Sequence, residues 1–457
     1  MGLICGILGL EAADERLRES ACLAQEAGIE VRIEIVDLMA KHPSTYKLTL
    51  RNPEEQHTMT AISTGGGMIE VTEIDGARVS MAGDYYETLI YFDSGGDEVF
   101  RFLMENTDAD DIIPLGNASL RIMEIKAQDF LEDEVVSQLC SRHTIKHLKK
   151  ISPVLPVLSR KAMKVPFITC QEMLQCNEEK DLQLWELAVH YESARGNMTP
   201  KQVFQRMKDI VLIMETSIHK GLKGTLYADR ILGYQSGLFQ AKMERNQLLD
   251  GGMLNQVILY VTAMMEMKSS MGVIVAAPTA GACGGLPGAC IGAASAMGLS
   301  HDEMAQAMLA AGMIGIFIAA RSTFAAEVCG CQAECGASSG MAAAALVTLV
   351  KGTAKQAVNA SSMALQNTLG MVCSPVANRV EVPCLGNNVM AAANAFACAN
   401  MALADYDPVI PLDEVVETMD RVGKSLPPEL RCTALGGLSI TRTSREVEER
   451  LKHQGAA

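Results

Sequence analysis

The sequence has no stripe of Lys and Arg interleaved with aromatic residues, and its charge balance is acidic: 39 Lys and Arg against 54 Asp and Glu, a formal net charge of −15. Such a surface repels polyanions, which argues against nucleic acid and anionic membrane as partners. A basic leader segment is also missing. The start, Met1 to Leu10, is apolar but meets Glu11, Asp14 and Glu15 at once, unlike a secretory signal. No stretch reaches about 20 apolar residues without a charge or a helix breaker. The contender from Val257 to Ala289 contains Glu266, Lys268, Pro278 and Pro287, and reads as a buried helix followed by a loop. No Walker lysine follows a glycine-rich segment, and no Gly-x-Gly-x-x-Gly fingerprint or lysine-centred pyridoxal phosphate pattern is visible. These absences leave a cytoplasmic, globular protein.

What is present is apolar bulk and cysteine. Hydrophobic residues make up 49% of the 457, enough for two or three domains around a large core. The fold class expected is α+β: an N-terminal mixed α/β region, then an all-helical C-terminal region. In the first part, Asp14 to Ala27 reads as an amphipathic helix. Val31–Val36, Tyr46–Leu50, Ala61–Ser63, Met68–Ile74, Glu87–Phe92 and Ser119–Lys126 read as strands, with helices at Asp97–Asn106 and from Glu132. A Lys-, Pro- and Ser-containing stretch from Lys146 to Lys164 reads as a linker. Beyond it, Asp181–Arg195, Pro200–Lys220, Gly252–Met271, His301–Ala320, Gly340–Lys351, Ala354–Leu369 and Asn388–Leu403 carry helical spacing. The 28 methionines read as core filler.

Fourteen cysteines in a reducing compartment serve metal, catalysis or packing. Cys22, Cys140, Cys290 and Cys398 read as small core residues. Three others stand at breaks between helices. Cys331 lies in Gly330-Cys331-Gln332-Ala333-Glu334-Cys335-Gly336, where a loop at Gly330 can aim one or two of the three neighbouring thiols. Cys373 and Cys384 bracket a segment whose Pro375 and Pro383 disfavour a regular helix and would keep both thiols on stiff loops. Three thiols in a glycine-lined, apolar setting suit iron–sulfur chemistry, with one iron left open to substrate. Zinc is the rival, weakened by the lack of a Cys-x-x-Cys pair and of a nearby histidine. A further break, Ala277 to Gly288, has Gly or Pro at six of its twelve positions and suits a backbone nest for a carboxylate.

These motifs together resemble the iron–sulfur-dependent L-serine dehydratases. The spacing of Cys331, Cys373 and Cys384, the Gly-Cys-Gln-Ala-Glu and Val-Glu-Val-Pro-Cys segments, Ala-Pro-Thr-Ala-Gly from Ala277, and Thr-Ala-Leu-Gly-Gly-Leu ending at Leu438 carry the resemblance, which runs from about Asp181 to Glu449. It implies that Cys331, Cys373 and Cys384 hold a 4Fe–4S cluster, and that L-serine is dehydrated and deaminated to pyruvate and ammonia. The alternatives are a related lyase acting on threonine or cysteine, or a non-catalytic cluster-binding partner or sensor. Thr279, Gly281, Asn378 and Arg379 are the candidate substrate contacts; no general base can be assigned. The resemblance divides the chain into a truncated β-domain-like region (1–80), an ACT-like ferredoxin-like unit (81–145), a linker (146–165) and a helical cluster-binding domain (166–457). The first region is similar to the family at Val36–Asp37, His42–Thr45 and Gly65–Met68, but the family's Ser-Ser-Ser-His-Thr segment has no match. A small amino acid is the expected ligand, in a homo-oligomer, with a separate subunit as one source of the missing segment.

Overall fold

The computed structural model describes residues 1–454 apart from 37, 43, 66, 117–119, 156–157 and 162. Asp37, Pro43 and Gly66 of the segments quoted above, and Ser119 of an expected strand, therefore lie outside the described residues. The chain forms two compact units: one of residues 37–165 with 192–198, the other of 1–36, 166–191 and 199–457.

The first unit is antiparallel β-structure with two helices. Strands β1 (Thr45–Arg51), β2 (Gln56–Gly65), β3 (Met68–Ile74) and β4 (Ala77–Met81) form a meander in sequence order. The second sheet has the order β6-β7-β5-β8, built from β5 (Tyr86–Phe92), β6 (Asp111–Gly116), β7 (Arg121–Ala127) and β8 (Ile145–Ile151). Two helices of this unit, Gly96–Asn106 and Asp133–Arg142, complete a β-α-β-β-α-β order, the ferredoxin-like arrangement. Its core is Ile90, Phe92, Val99, Phe102, Leu103, Met123, Ile125 and Leu139. Two expectations change here. Val31–Val36 makes no strand, and Ile35 is fully exposed. The supposed linker begins as β8, because Ile145 and Leu148 pack onto the apolar core while the lysines between them made the segment look solvated.

The second unit is helical. In chain order the helices among the described residues are α1 (Gly2–Ile7), α2 (Ser20–Glu26), α3 (Gly96–Asn106), α4 (Asp133–Arg142), α5 (Cys170–Asn177), α6 (Leu184–Gly196), α7 (Pro200–Lys223), α8 (Ser236–Glu244), α9 (Met253–Ser269), α10 (Gly285–Met297), α11 (His301–Arg321), α12 (Ala326–Cys329), α13 (Cys335–Leu349), α14 (Ala354–Gln366), α15 (Cys384–Leu403), α16 (Leu412–Ser425) and α17 (Arg442–Gln454). The expected helix from Asp14 is a 3₁₀ turn, Glu15–Glu19, running into α2. Starts of the long helices are written locally: Thr199 with Gln202, Ser300 with Glu303 and Thr353 with Gln356 each form a reciprocal capping box, about 1 kcal/mol apiece. All fifteen residues of α13 are buried. A helix apolar on every side belongs in the middle, and α10, α11, α14 and α15 pack around it. Among the described residues one helix, α11, is long and apolar enough to cross a membrane by length and composition; 67% of its most apolar window is buried inside the protein.

Candidate active site

Four connections meet at one end of the helical unit: α9 to α10, α12 to α13, α14 to α15, and α16 to α17. Each brings a part of the site. Gly330, at φ +72°, turns the chain ahead of Cys331; a Cβ there would come within 2.7 Å of the Met371 carbonyl oxygen. This turn separates the neighbouring thiols. Cys329 faces Asp420 on α16, with its Sγ 3.9 Å from the Asp420 carbonyl oxygen. Cys331 and Cys335 face the other way and join Cys373 and Cys432 in one buried cluster. Cys373 is fixed by a short parallel bridge to Arg431: its N–H donates to the Leu430 carbonyl at 2.9 Å, and its carbonyl accepts from the Cys432 N–H at 3.0 Å. Cys384 is the first residue of α15, not a loop residue. Cys335 and Cys384 thus stand at the starts of two long helices, where the backbone dipoles favour negative charge.

The thiols do not ionise alike. Cys331 is held well below its ordinary range because the thiols of Cys335 and Cys373 donate to it, with Asn387 Nδ2 at 3.6 Å adding a further contact. Cys335 and Cys373 are raised, first because they are those donors. Burial, and then the negative Cys331, push Cys384 up to about 12. One anion is stable in this enclosure, and each further one is penalised until a cation compensates it. Among the described residues, no three His, Cys, Asp or Glu side chains converge closely enough to hold a single metal ion. A cluster makes a different demand: each iron takes its own thiolate, so ligands surround a volume instead of a point.

The Ala277–Gly284 loop covers this group. Thr279 is buried, and its hydroxyl donates to Glu334 Oε1 at 2.7 Å while accepting from the Ala282 N–H at 3.1 Å. At Gly281 a Cβ would lie 2.9 Å from Glu334 Oε1, so glycine leaves room for the carboxyl under the loop. Burial, and next the charge on Cys331, raise Glu334 to about 7. Lys268 lies in the last turn of α9. Its Nζ is closed off from solvent and has no hydrogen-bond partner among the described residues. Its positive charge works against the upward shifts of Glu334 and Cys384.

The nest expected in this loop is largely used by the protein itself. The N–H groups of Gly284 and Gly285 donate to Asn388 Oδ1 at 3.0 and 2.8 Å, and that of Leu286 donates to Ser338 Oγ at 2.9 Å. Asn388 Nδ2 in turn donates to the carbonyls of Gly281 and Cys384, both at 2.8 Å. One fully buried amide therefore ties the loop, α10 and α15 together. Asn388→Ala should strand two amide donors and two carbonyls, lowering stability by about 3 kcal/mol, which urea unfolding of the full chain will read.

Of the other candidates, Arg379 pairs with Asp229 at 2.6 Å, and Asn378 is exposed. Among the described residues, no hydrogen bond or ion pair joins either one to the thiols or to the Thr279 loop. Glu381, between them and Cys384, is spent on the N–H groups of Ile231 and Leu232. An open cleft of about 870 Å³ lined by Gln171, Lys351 and Asp413 holds none of the site thiols, nor Glu334, Lys268 or Thr279.

This arrangement can gather thiolates for iron, hold an acid–base carboxyl and present an unpaired ammonium. Residues 179–439, more than half the chain, match the family described as serine dehydratase alpha chain. The chain belongs to that family. It is 35% identical over 285 residues to the probable L-serine dehydratase alpha chain of Bacillus subtilis, covering 62% of this chain and 95% of that one. It is 32% identical over 289 residues to the L-serine dehydratase alpha chain of Peptoniphilus asaccharolyticus, covering 63% and 99%. Over 282 residues it is 31% identical to L-serine dehydratase 1 of Escherichia coli, covering 60% and 62%. The family membership makes this protein an enzyme of the ammonia-lyase kind.

Glu334, Lys268 and Cys432 are the site residues that sequence reasoning did not single out. Lys268 left a signal: a charge within an apolar helix either ends it or serves something inside. Cys22 and Cys140, expected in the core, are exposed.

Proposed function

We propose that this chain is an iron–sulfur-dependent lyase that dehydrates and deaminates L-serine to pyruvate and ammonia. What supports the reading is the buried group of Cys331 and Cys373, with Cys384 at the start of α15 tied to it through Asn388, together with Glu334, a carboxyl raised toward neutrality, and Lys268, a buried amine without a partner. The cradle fits a 4Fe–4S cluster in its chemistry: soft donors in an enclosure where thiolates lack a cation. Cys331, Cys373 and Cys384 would hold it, and it would supply Lewis acidity for the departing hydroxyl.

The chain's own groups do the rest. Lys268 Nζ pairs with the substrate carboxylate, gaining the partner it lacks and fixing the Cα–H bond relative to Glu334. Thr279 holds Glu334 Oε1, leaving Oε2 to take the Cα proton. Loss of that proton and of the hydroxyl gives aminoacrylate, which tautomerises to an imine and is hydrolysed by water to pyruvate and ammonia. The acidic charge, with all fourteen cysteines free, supports a cytoplasmic location. The ferredoxin-like order supports reading residues 81–145 as an ACT-like regulatory unit, and relatives whose names specify an alpha chain support a separate subunit as a source of the missing segment.

Protein purified without oxygen should be brown, bleach in air, and release pyruvate from serine faster than 2-keto acids from threonine or cysteine. Lys268→Met should raise KM for serine roughly 10- to 100-fold with iron content unchanged, the equivalent of one charge-assisted hydrogen bond. Binding of one zinc and no iron overturns the reading.

A further inference from the structure

Six of the nine residues from 31 to 39 are large apolar side chains in the open: Val31, Ile33, Ile35, Val36, Leu38 and Met39, with Ile33 72% and Ile35 100% exposed. Monomeric soluble proteins seldom leave such a run uncovered unless something binds there. The stretch Glu30-Val31-Arg32-Ile33-Glu34-Ile35-Val36 alternates as a strand does, yet among the described residues the main chain of 31–36 makes no hydrogen bond. Its free N–H and C=O groups are those an added strand takes up. Arg32 and Glu34 form an ion pair with each other at 2.5 Å, both side chains more than half exposed.

The segment is complementary to itself. Laid antiparallel against a second copy about Ile33, it sets Val31 opposite Ile35 and Arg32 opposite Glu34, twice each, with Ile33 opposite Ile33. Residues directly opposite in an antiparallel pair share a face. From 31 to 35, every apolar residue then meets an apolar one and every charge its opposite. The neighbouring registers fail. A slip of one residue sets Arg32 opposite Ile33; a slip of two sets Arg32 opposite Arg32 in one direction and Glu34 opposite Glu34 in the other.

We propose that residues 31–35 form a homodimer contact, an antiparallel two-stranded ribbon with the same segment of a second copy, centred on Ile33. The contact is isologous, with the two-fold axis passing through Ile33. It does not depend on the iron–sulfur reading. A two-stranded ribbon is marginal by itself in water, so the association should be reversible and its strength measurable.

The test is sedimentation of the full chain from nanomolar to high-micromolar concentration, with thiols kept reduced because Cys22, Cys140 and Cys176 are exposed. Wild type should be a dimer that dissociates on dilution. Arg32→Glu sets a second carboxylate against Glu34 of the other copy, and Glu34→Arg sets a second guanidinium against Arg32. Each alone should raise the dimer dissociation constant roughly tenfold or more, because two attractive cross-strand pairs become repulsive. An equimolar mixture of the two variants should recover a heterodimer of wild-type strength. The doubly exchanged chain, Arg32→Glu with Glu34→Arg, should recover a homodimer. Both positions are exposed, so neither change disturbs buried packing. A wild type that stays monomeric throughout, or a dimer whose strength neither single variant changes, overturns the contact. Two weakened single variants whose mixture stays weak overturn the register, and the proposal with it.

Discussion

Glu334→Gln should lose roughly 10²- to 10⁴-fold in kcat, the usual worth of a positioned proton acceptor, while keeping its iron. The variant preserves size and can still hydrogen-bond Thr279, so the fold has no reason to change. What disappears is the oxygen that can take a proton. The pH dependence gives an independent reading. Burial and the negative Cys331 raise the carboxyl to about 7, with the Thr279 hydrogen bond pulling the other way. The base is the ionised form, and a raised carboxyl is protonated below its pKa. Wild-type kcat/KM should therefore fall as pH drops through about 7, roughly tenfold per unit below it, and level off above. Thr279→Ala removes a contact that favours the ionised form, so its limb should move to higher pH with the iron retained. Near-normal turnover in Glu334→Gln would remove this residue from the chemistry.

The sequence made some of this legible and left the rest to the fold, for physical reasons. Helices such as α11 and α14 combine long apolar spacing with capping boxes, and their bounds lie within a few residues of expectation. Alternation at Val31–Val36 looked equally plain, but a strand exists only with a hydrogen-bonding neighbour, and a local pattern cannot supply one. The Lys-rich segment at 145–151 failed in the opposite direction: its apolar partners lie on strands and helices far away in sequence. The same division runs through the site. Cys331, Cys373 and Cys384 were visible because each sits in a long motif. Glu334 was inside one of those motifs, yet its role depends on the Thr279 loop, 55 residues earlier in the chain, closing over it. Cys432 depends on a single bridge to Cys373, and Arg379 is neutralised by Asp229, 150 residues away. Side-chain chemistry was readable wherever the motif was local, and unreadable wherever the partner came from another connection.

Cys331→Ser, Cys373→Ser and Cys384→Ser should each lose iron and all measurable turnover, whereas Cys398→Ser should keep both. The four are close in size change and in burial, so packing alone predicts four similar proteins. The difference lies in what each sulfur faces. Two thiol donors and Asn387 lower Cys331 and so favour its thiolate form; a serine hydroxyl stays protonated at neutral pH and is a harder, poorer iron donor. Cys373 and Cys384 share the same enclosure and its shortage of positive charge. Cys398 lies further along α15, 3.4 Å from Asn367 Nδ2 and 3.7 Å from Asn394 Oδ1, contacts a hydroxyl can replace. Its replacement should cost about 1 kcal/mol of packing at most. Iron and acid-labile sulfide per chain, with visible absorption, separate the two classes, and thermal unfolding of each apo variant checks that the three losses are not general misfolding. A Cys384→Ser protein with a full cluster and normal turnover would move the third ligand elsewhere, with Cys335 and Cys432 the nearest thiols to test.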